Sequence, residues 1–134
     1  MRKLVLICLS TMVAFSNGLV FGLPPFKKAF DVKYVKDSDN ADFKAAFKKQ
    51  GCNVCHIKGE KKDKQNPYGE ELAKFIEGDA KQRTKEAGDD EKAEVKKQIL
   101  KELDEAFGKV EKIENEAGEA FGERIKSGKL PVEG

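Results

Sequence analysis

The sequence has no tryptophan, one histidine, two methionines and three cysteines in 134 residues. A single histidine excludes a His-rich metal cage, and it excludes any arrangement in which one His binds a metal while another acts as general acid or base. An excess of charge of one sign is also missing. Lys and Arg total 26 against 24 Asp and Glu, a net charge of +2, although charged residues make up 37% of the chain. A surface dense in both signs, with no basic excess, argues against a nucleic-acid partner. Nothing alternates with period two over a useful length, so the signature of half-buried strands is lacking and the class expected is all-α. At this length the chain is sized for one domain.

What is present begins with Arg2 and Lys3 ahead of an apolar run from Leu4 to Phe15, followed by Ser16, Asn17 and Gly18. This is the layout of a secretory signal peptide, with Val20 and Gly22 as the small residues before a cut ahead of Leu23, and Ser16 and Gly18 offering an earlier cut. The expected division is a leader over 1–22 and one domain over 23–134, exported to a periplasmic or equivalent extracytoplasmic compartment. Leu4 to Leu23 is uncharged and reaches the roughly 20 residues that cross a bilayer, so membrane attachment follows only if this segment is retained. Ser10, Thr11, Ser16 and Asn17 weaken that alternative. Loss of residues 1–22 removes Cys8, Met1 and Met12 and leaves one His, two Cys, no Met, and 24 basic against 24 acidic side chains.

Helical periodicity organises the rest. Phe26, Ala29, Phe30, Tyr34 and Val35 are loosely spaced and suggest a short helix. Asp39 or Asn40 can cap a second helix with Phe43, Ala46 and Phe47 on one face and Gly51 at its end. Ile57 to Pro67 reads as an exposed loop, Gly69 to Glu77 as a third helix with Leu72, Phe75 and Ile76 on one side, and 79–88 as a solvated linker. Val95, Ile99, Leu103, Phe107, Val110 and Ile113 mark an amphipathic helix of about six turns, broken near Gly118 before a last turn through Phe121 and Ile125.

Cys52-Asn53-Val54-Cys55-His56 is C-x-x-C-H, the attachment sequence of c-type haem. Two thiols three residues apart can reach the two vinyl groups of one porphyrin, and the adjacent His56 can then bind the iron. Three other chemistries compete for these residues. A Cys52–Cys55 disulfide would close a very small loop, and a thioredoxin-like pair belongs beside a βαβ pattern that is lacking. A zinc site would find three conventional ligands where a structural site wants four. The expected cofactor is one haem c, with His56 as the metal ligand. Phe43, Phe47, Val54, Leu72, Phe75, Leu103 and Phe107 are candidates to pack on the porphyrin, and equally candidates for plain helix packing.

Without a distal Met or second His, the far side of the iron is left to Tyr34, Tyr68, a lysine, Asn66, the amino terminus or nothing, and a low potential is expected. Tyr68 can donate to a propionate, face the iron, or simply pack at a helix start with its hydroxyl hydrogen-bonded. Lys58, Lys61, Lys62 and Lys64 can steer an acidic redox partner or only solubilise a loop.

Phe26 to Phe30, Tyr34-Val35-Lys36, Cys52 to His56, Asn66 to Gly69 and the ending Phe121 to Pro131 together resemble the small monohaem cytochromes c of planctomycete and anammox-type bacteria. The resemblance implies a small cytochrome c-like helical domain around one covalently attached haem on Cys52, Cys55 and His56, and a redox partner protein, with a second cytochrome subunit among the candidates. Some of those relatives resemble low-potential gas-binding proteins with a thiolate as distal ligand. This chain departs from them, because no third Cys remains after the leader. The function expected is electron transfer rather than enzyme catalysis; the alternative is a haem protein that binds or senses NO or CO through an open distal site. Tyr68 and Phe47 join Cys52, Cys55 and His56 as the expected cofactor-binding residues.

Overall fold

The computed structural model of the protein describes residues 24–61 and 63–133. The expected leader over 1–22, with Cys8, lies outside the described residues. Among the described residues there are helices and turns but no strand, and only two isolated antiparallel bridges, His56 with Gln65 and Glu114 with Ala120. The class is all-α. No helix among the described residues is long and apolar enough to cross a membrane.

Helix α1 (Pro24–Phe30) runs directly into a π-helical turn over Asp31–Val35, closed by a 2.8 Å bond from Lys36 N–H to Asp31 O. Phe30 before the widened i→i+5 turn and Val35 at its end are both buried, with Tyr34 half-buried against the Phe30 ring. That explains why the apolar spacing here fits the ordinary helical period poorly. Helix α2 (Ala41–Gln50) starts where Asn40 Oδ1 accepts the Phe43 N–H at 3.0 Å. It ends at Gly51, whose φ of +56° takes the chain out of the helix into a 3₁₀ turn over Gly51–Val54. Phe43 and Phe47 are buried as expected, whereas Ala46 is exposed.

Helix α3 (Pro67–Ala73) begins two residues before the expected start, because Asn66 caps it and Pro67 occupies its first position. It ends at Ala73 rather than Glu77, and three i→i+3 bonds, from Lys74 to Glu71, Phe75 to Leu72 and Ile76 to Ala73, then tighten the chain so that Ile76 still reaches the core. The expected linker over 79–88 is instead helix α4 (Ala80–Glu86). Asp79 Oδ1 accepts the Gln82 N–H at 2.8 Å, Ala80 is buried, and Arg83 makes two 2.8 Å bonds to the two oxygens of Glu102 and a third to Glu77 O. A helix anchored by one alanine and a long-range ion pair has no apolar stripe for periodicity to reveal.

Helix α5 (Lys92–Val110) is the spine, with α1, α3 and α4 all packed against it. Its 19 residues make about five turns, one fewer than expected, with Ile99, Leu103, Ala106, Phe107 and Val110 buried. The helix stops at Val110 because the chain doubles back: Gly122 N–H bonds Glu111 O and Phe121 N–H bonds Ile113 O, each at 2.9 Å. Helix α6 (Phe121–Lys126) follows and buries Phe121 and Ile125 in the same core.

Glu102 lies in a pair whose members are only 22% and 20% exposed, and the hydrogen bond from Arg83 holds its carboxyl below the usual range. The stabilisation is therefore complete above the unfolded-state carboxylate value of about 4.3 and is lost as pH falls through the lower native value. Arg83→Ala is expected to lower stability by about 1 kcal/mol and to speed amide exchange in α4 more than in α5. Equal exchange in the two proteins across α4 would show that the pair does not anchor it.

Candidate functional site

The C-x-x-C-H residues sit on the 3₁₀ turn that α2 feeds, immediately before the exposed loop. The turn is closed by bonds from Cys55 N–H and His56 N–H to Cys52 O at 3.3 and 3.2 Å. Cys52 is exposed, Cys55 partly covered, and His56 only 4% exposed. The two thiols are not joined by a disulfide. Burial pushes the Cys55 thiol up to about 12, with a smaller contribution from neighbouring Cys52. Among the described residues, no three His, Cys, Asp or Glu side chains are grouped as a metal-ion site requires.

These residues border a narrow apolar cleft with an interior volume of about 40 Å³. Its walls are Phe26 and Phe30 from α1, Phe47 from α2, Val54 from the turn and Leu72 from α3, with Gly51, Cys52, Cys55, His56 and Gly69 along one side and Lys27 and Gln65 at the edge. Lys27 lays its ammonium 5.7 Å from the centre of the Phe47 ring. The cleft is thus assembled from three helices and the motif turn.

Of the residues expected to pack on a cofactor, Phe47, Val54 and Leu72 line the cleft. Phe43, Leu103 and Phe107 lie in the helix core, and Phe75 is partly buried beneath Lys109, whose ammonium is 5.3 Å from its ring centre. Phe26 and Phe30 were not expected at the site. Their i, i+4 spacing marks one helical face, but only the folded chain brings that face to the motif.

Tyr68 stands behind the Phe30 wall rather than in the cleft lining, edge-on to Phe30 at 6.1 Å and to Phe121 at 5.2 Å. It is 1% exposed, and its hydroxyl has no hydrogen-bond partner among the described residues. Burial, then repulsion from Cys55, Tyr34 and Glu111, pushes its phenol well above the ordinary value, so it stays a neutral donor. Tyr34 donates to Glu111 Oε1 at 2.6 Å and is raised mainly by burial and next by that bond. Asn66 is also committed elsewhere: its amide nitrogen donates to Asn53 O and Val54 O and its amide oxygen accepts from Gly69 N–H. Neither Tyr34 nor Asn66 lines the cleft.

Gly69 faces the motif with no space to spare. A β-carbon there would lie 2.1 Å from Cys55 O, a backbone atom that cannot turn aside. Only glycine lets the first turn of α3 approach the C-x-x-C-H turn so closely. Beyond His56 the loop is exposed at Ile57, Lys58, Lys61 and Lys64, but Asn66, expected in the same exposed loop, is buried by its bonds to the motif turn; Lys62 lies outside the described residues.

Comparison of the chain with protein-family models, curated proteins and solved structures returns no match.

The two cysteines differ in a way that labelling reads directly. In chain that carries no cofactor, a maleimide near pH 8 is expected to modify Cys52 well ahead of Cys55, whose thiolate forms only as pH approaches about 12. Peptide mapping after timed labelling checks this, and equal rates would contradict the burial of Cys55.

Proposed function

We propose that the protein is an exported monohaem c-type cytochrome that transfers electrons at low potential, with Cys52 and Cys55 holding the porphyrin and His56 binding its iron. The observation that carries this reading is the placement of the C-x-x-C-H turn on the rim of an apolar cleft walled by Phe26, Phe30, Phe47, Val54 and Leu72. The donor set fits the group. Each thiol can add across one vinyl, its sulfur to one carbon and its hydrogen to the other, with no change of oxidation state. Because the thiols and the imidazole act on different parts of a large planar molecule, they need not converge as they would on a zinc ion. A buried tyrosine hydroxyl with no partner among the described residues, at the back of the cleft wall, adds a donor for a propionate or an enclosed water.

When bound, the iron porphyrin supplies a one-electron ferric–ferrous couple. The chain does the rest. His56 comes from a turn held at both ends, so its imidazole is presented with little freedom, and the phenylalanine walls keep water from the porphyrin faces and lower the local dielectric. No Met lies between residues 13 and 134, so the ligand that raises potential in many electron carriers is lacking. Exposed Lys58, Lys61 and Lys64 beside the site suit an acidic redox partner, a second cytochrome subunit among them.

One observation favours a second reading, a haem protein that binds NO or CO. Tyr34 and Asn66 are engaged elsewhere, and Tyr68 lies behind the wall, so among the described residues the cleft offers Lys27 and Gln65 at its edge and a mainly apolar surface on which a diatomic ligand could settle. Absorption spectra of the ferrous protein with and without CO separate the two. An immediate shift favours the open site, and an unchanged low-spin spectrum favours electron transfer alone.

The shared foundation is tested by mass. Protein exported from cells competent in haem c maturation is expected to exceed the processed chain by the mass of one haem, and to lose that increment when Cys52 and Cys55 are both replaced by Ala. A wild-type mass equal to the bare processed chain would sink the proposal. His56→Ala is expected to change the ferric and ferrous spectra, and unaltered spectra would remove His56 from the iron.

A further inference from the structure

We propose that Asn66 is the positioning residue of the attachment turn. Its side chain locks the Asn53–Val54 segment between the two cysteines to the start of α3, and so fixes Cys52, Cys55 and His56 before any cofactor is bound. The purpose rests on the haem c reading above; the geometry stands on hydrogen bonds alone.

Asn66 is 7% exposed, and with His56 it is one of two buried polar residues among the described residues. Its Nδ2 donates to Asn53 O and to Val54 O, each at 3.0 Å, while its Oδ1 accepts the Gly69 N–H at 2.9 Å. Its own backbone N–H donates to Cys55 O at 3.0 Å. One residue thus holds three consecutive carbonyls of the C-x-x-C segment and caps α3. Two carbonyls on one side of the amide and an N–H on the other admit only one orientation of the group. Pro67 keeps Asn66 extended, at φ −81° and ψ 171°, as a helix cap requires.

The side chain also answers a need of the turn. A 3₁₀ turn of four residues leaves its last carbonyls without successors to receive them, and those of Asn53 and Val54 point towards Asn66 instead of water. Asp at 66 would cap α3 but offer no donor, and Ser would cap α3 but could not span both carbonyls. The close seat of Gly69 on Cys55 O makes the lock rigid, because α3 and the turn have no slack between them.

Two full-length variants test the proposal, Asn66→Asp and Asn66→Ala, each exported under the same maturation conditions as wild type. Asn66→Asp retains the cap acceptor, removes the donation to Asn53 and Val54 and sets a carboxylate oxygen against their carbonyls. In cofactor-free chain it is expected to leave helical circular dichroism near wild type while Cys55 alkylation accelerates by about tenfold or more, the factor that losing a buried hydrogen bond gives to local opening, with Cys52 unchanged. In haem-loaded protein it is expected to shift the ferrous visible bands and the reduction potential at unchanged helix content, which a purely structural role would not do. Asn66→Ala is expected to show the same thiol effect together with a loss of thermal stability from the missing cap. Wild-type Cys55 reactivity in the Asp variant would overturn the proposal. Collapse of its helices would overturn it equally, since the lock is held to act locally. If wild type itself carries no haem, the cytochrome reading fails, and the thiol comparison still decides the lock.

Discussion

Phe30 is the contact on which the rest of the molecule depends. Its ring stacks on Phe47 at 5.6 Å and 11°, meets Tyr68 and Phe107 edge-on at 6.1 and 5.9 Å, and lies 5.0 Å from Tyr34. Through these neighbours one side chain ties α1 to α2, α3 and α5. It is 2% exposed and also forms a wall of the cleft. Core and site therefore share a residue, and the aromatic pairs, each worth about 0.5–1.5 kcal/mol beyond their buried area, hold the cleft wall as firmly as they hold the fold.

The opposite side of the cleft is held by polar means. There the chain must turn sharply between two short helices, and a turn of that kind leaves carbonyls that only a nearby donor can satisfy. Asn66 supplies the donor and Gly69 supplies the room. A stiff aromatic wall facing a hydrogen-bonded turn suits a group attached at one edge and packed on its faces, which is the arrangement that the proposed function requires.

Much of this was legible in the residues. The α2 cap at Asn40, its end at Gly51 and the buried stripe of α5 follow from local chemistry that needs no distant neighbour. Other elements escaped because their causes are remote. Helix α4 owes its place to Glu102, 19 positions beyond Arg83, and the end of α5 is set by α6 folding back on Glu111. The π-helical turn was hidden for a different reason, since a period other than 3.6 scatters Phe30, Tyr34 and Val35 when they are read as an α-helix.

At the site the division is similar. The amino-acid order alone determined that Cys52, Cys55 and His56 lie within five positions, that no second His exists to join them, and that helices carry them, because spacing, composition and periodicity are properties of the chain before it folds. The tertiary structure decided which aromatic rings face those residues. It placed Phe26 and Phe30 in the cleft and Phe43 and Phe107 away from it, and it turned Asn66 inward as a lock on the motif. A helical stripe says that a face is buried but not what lies against it, since the partner is chosen by how separate helices pack.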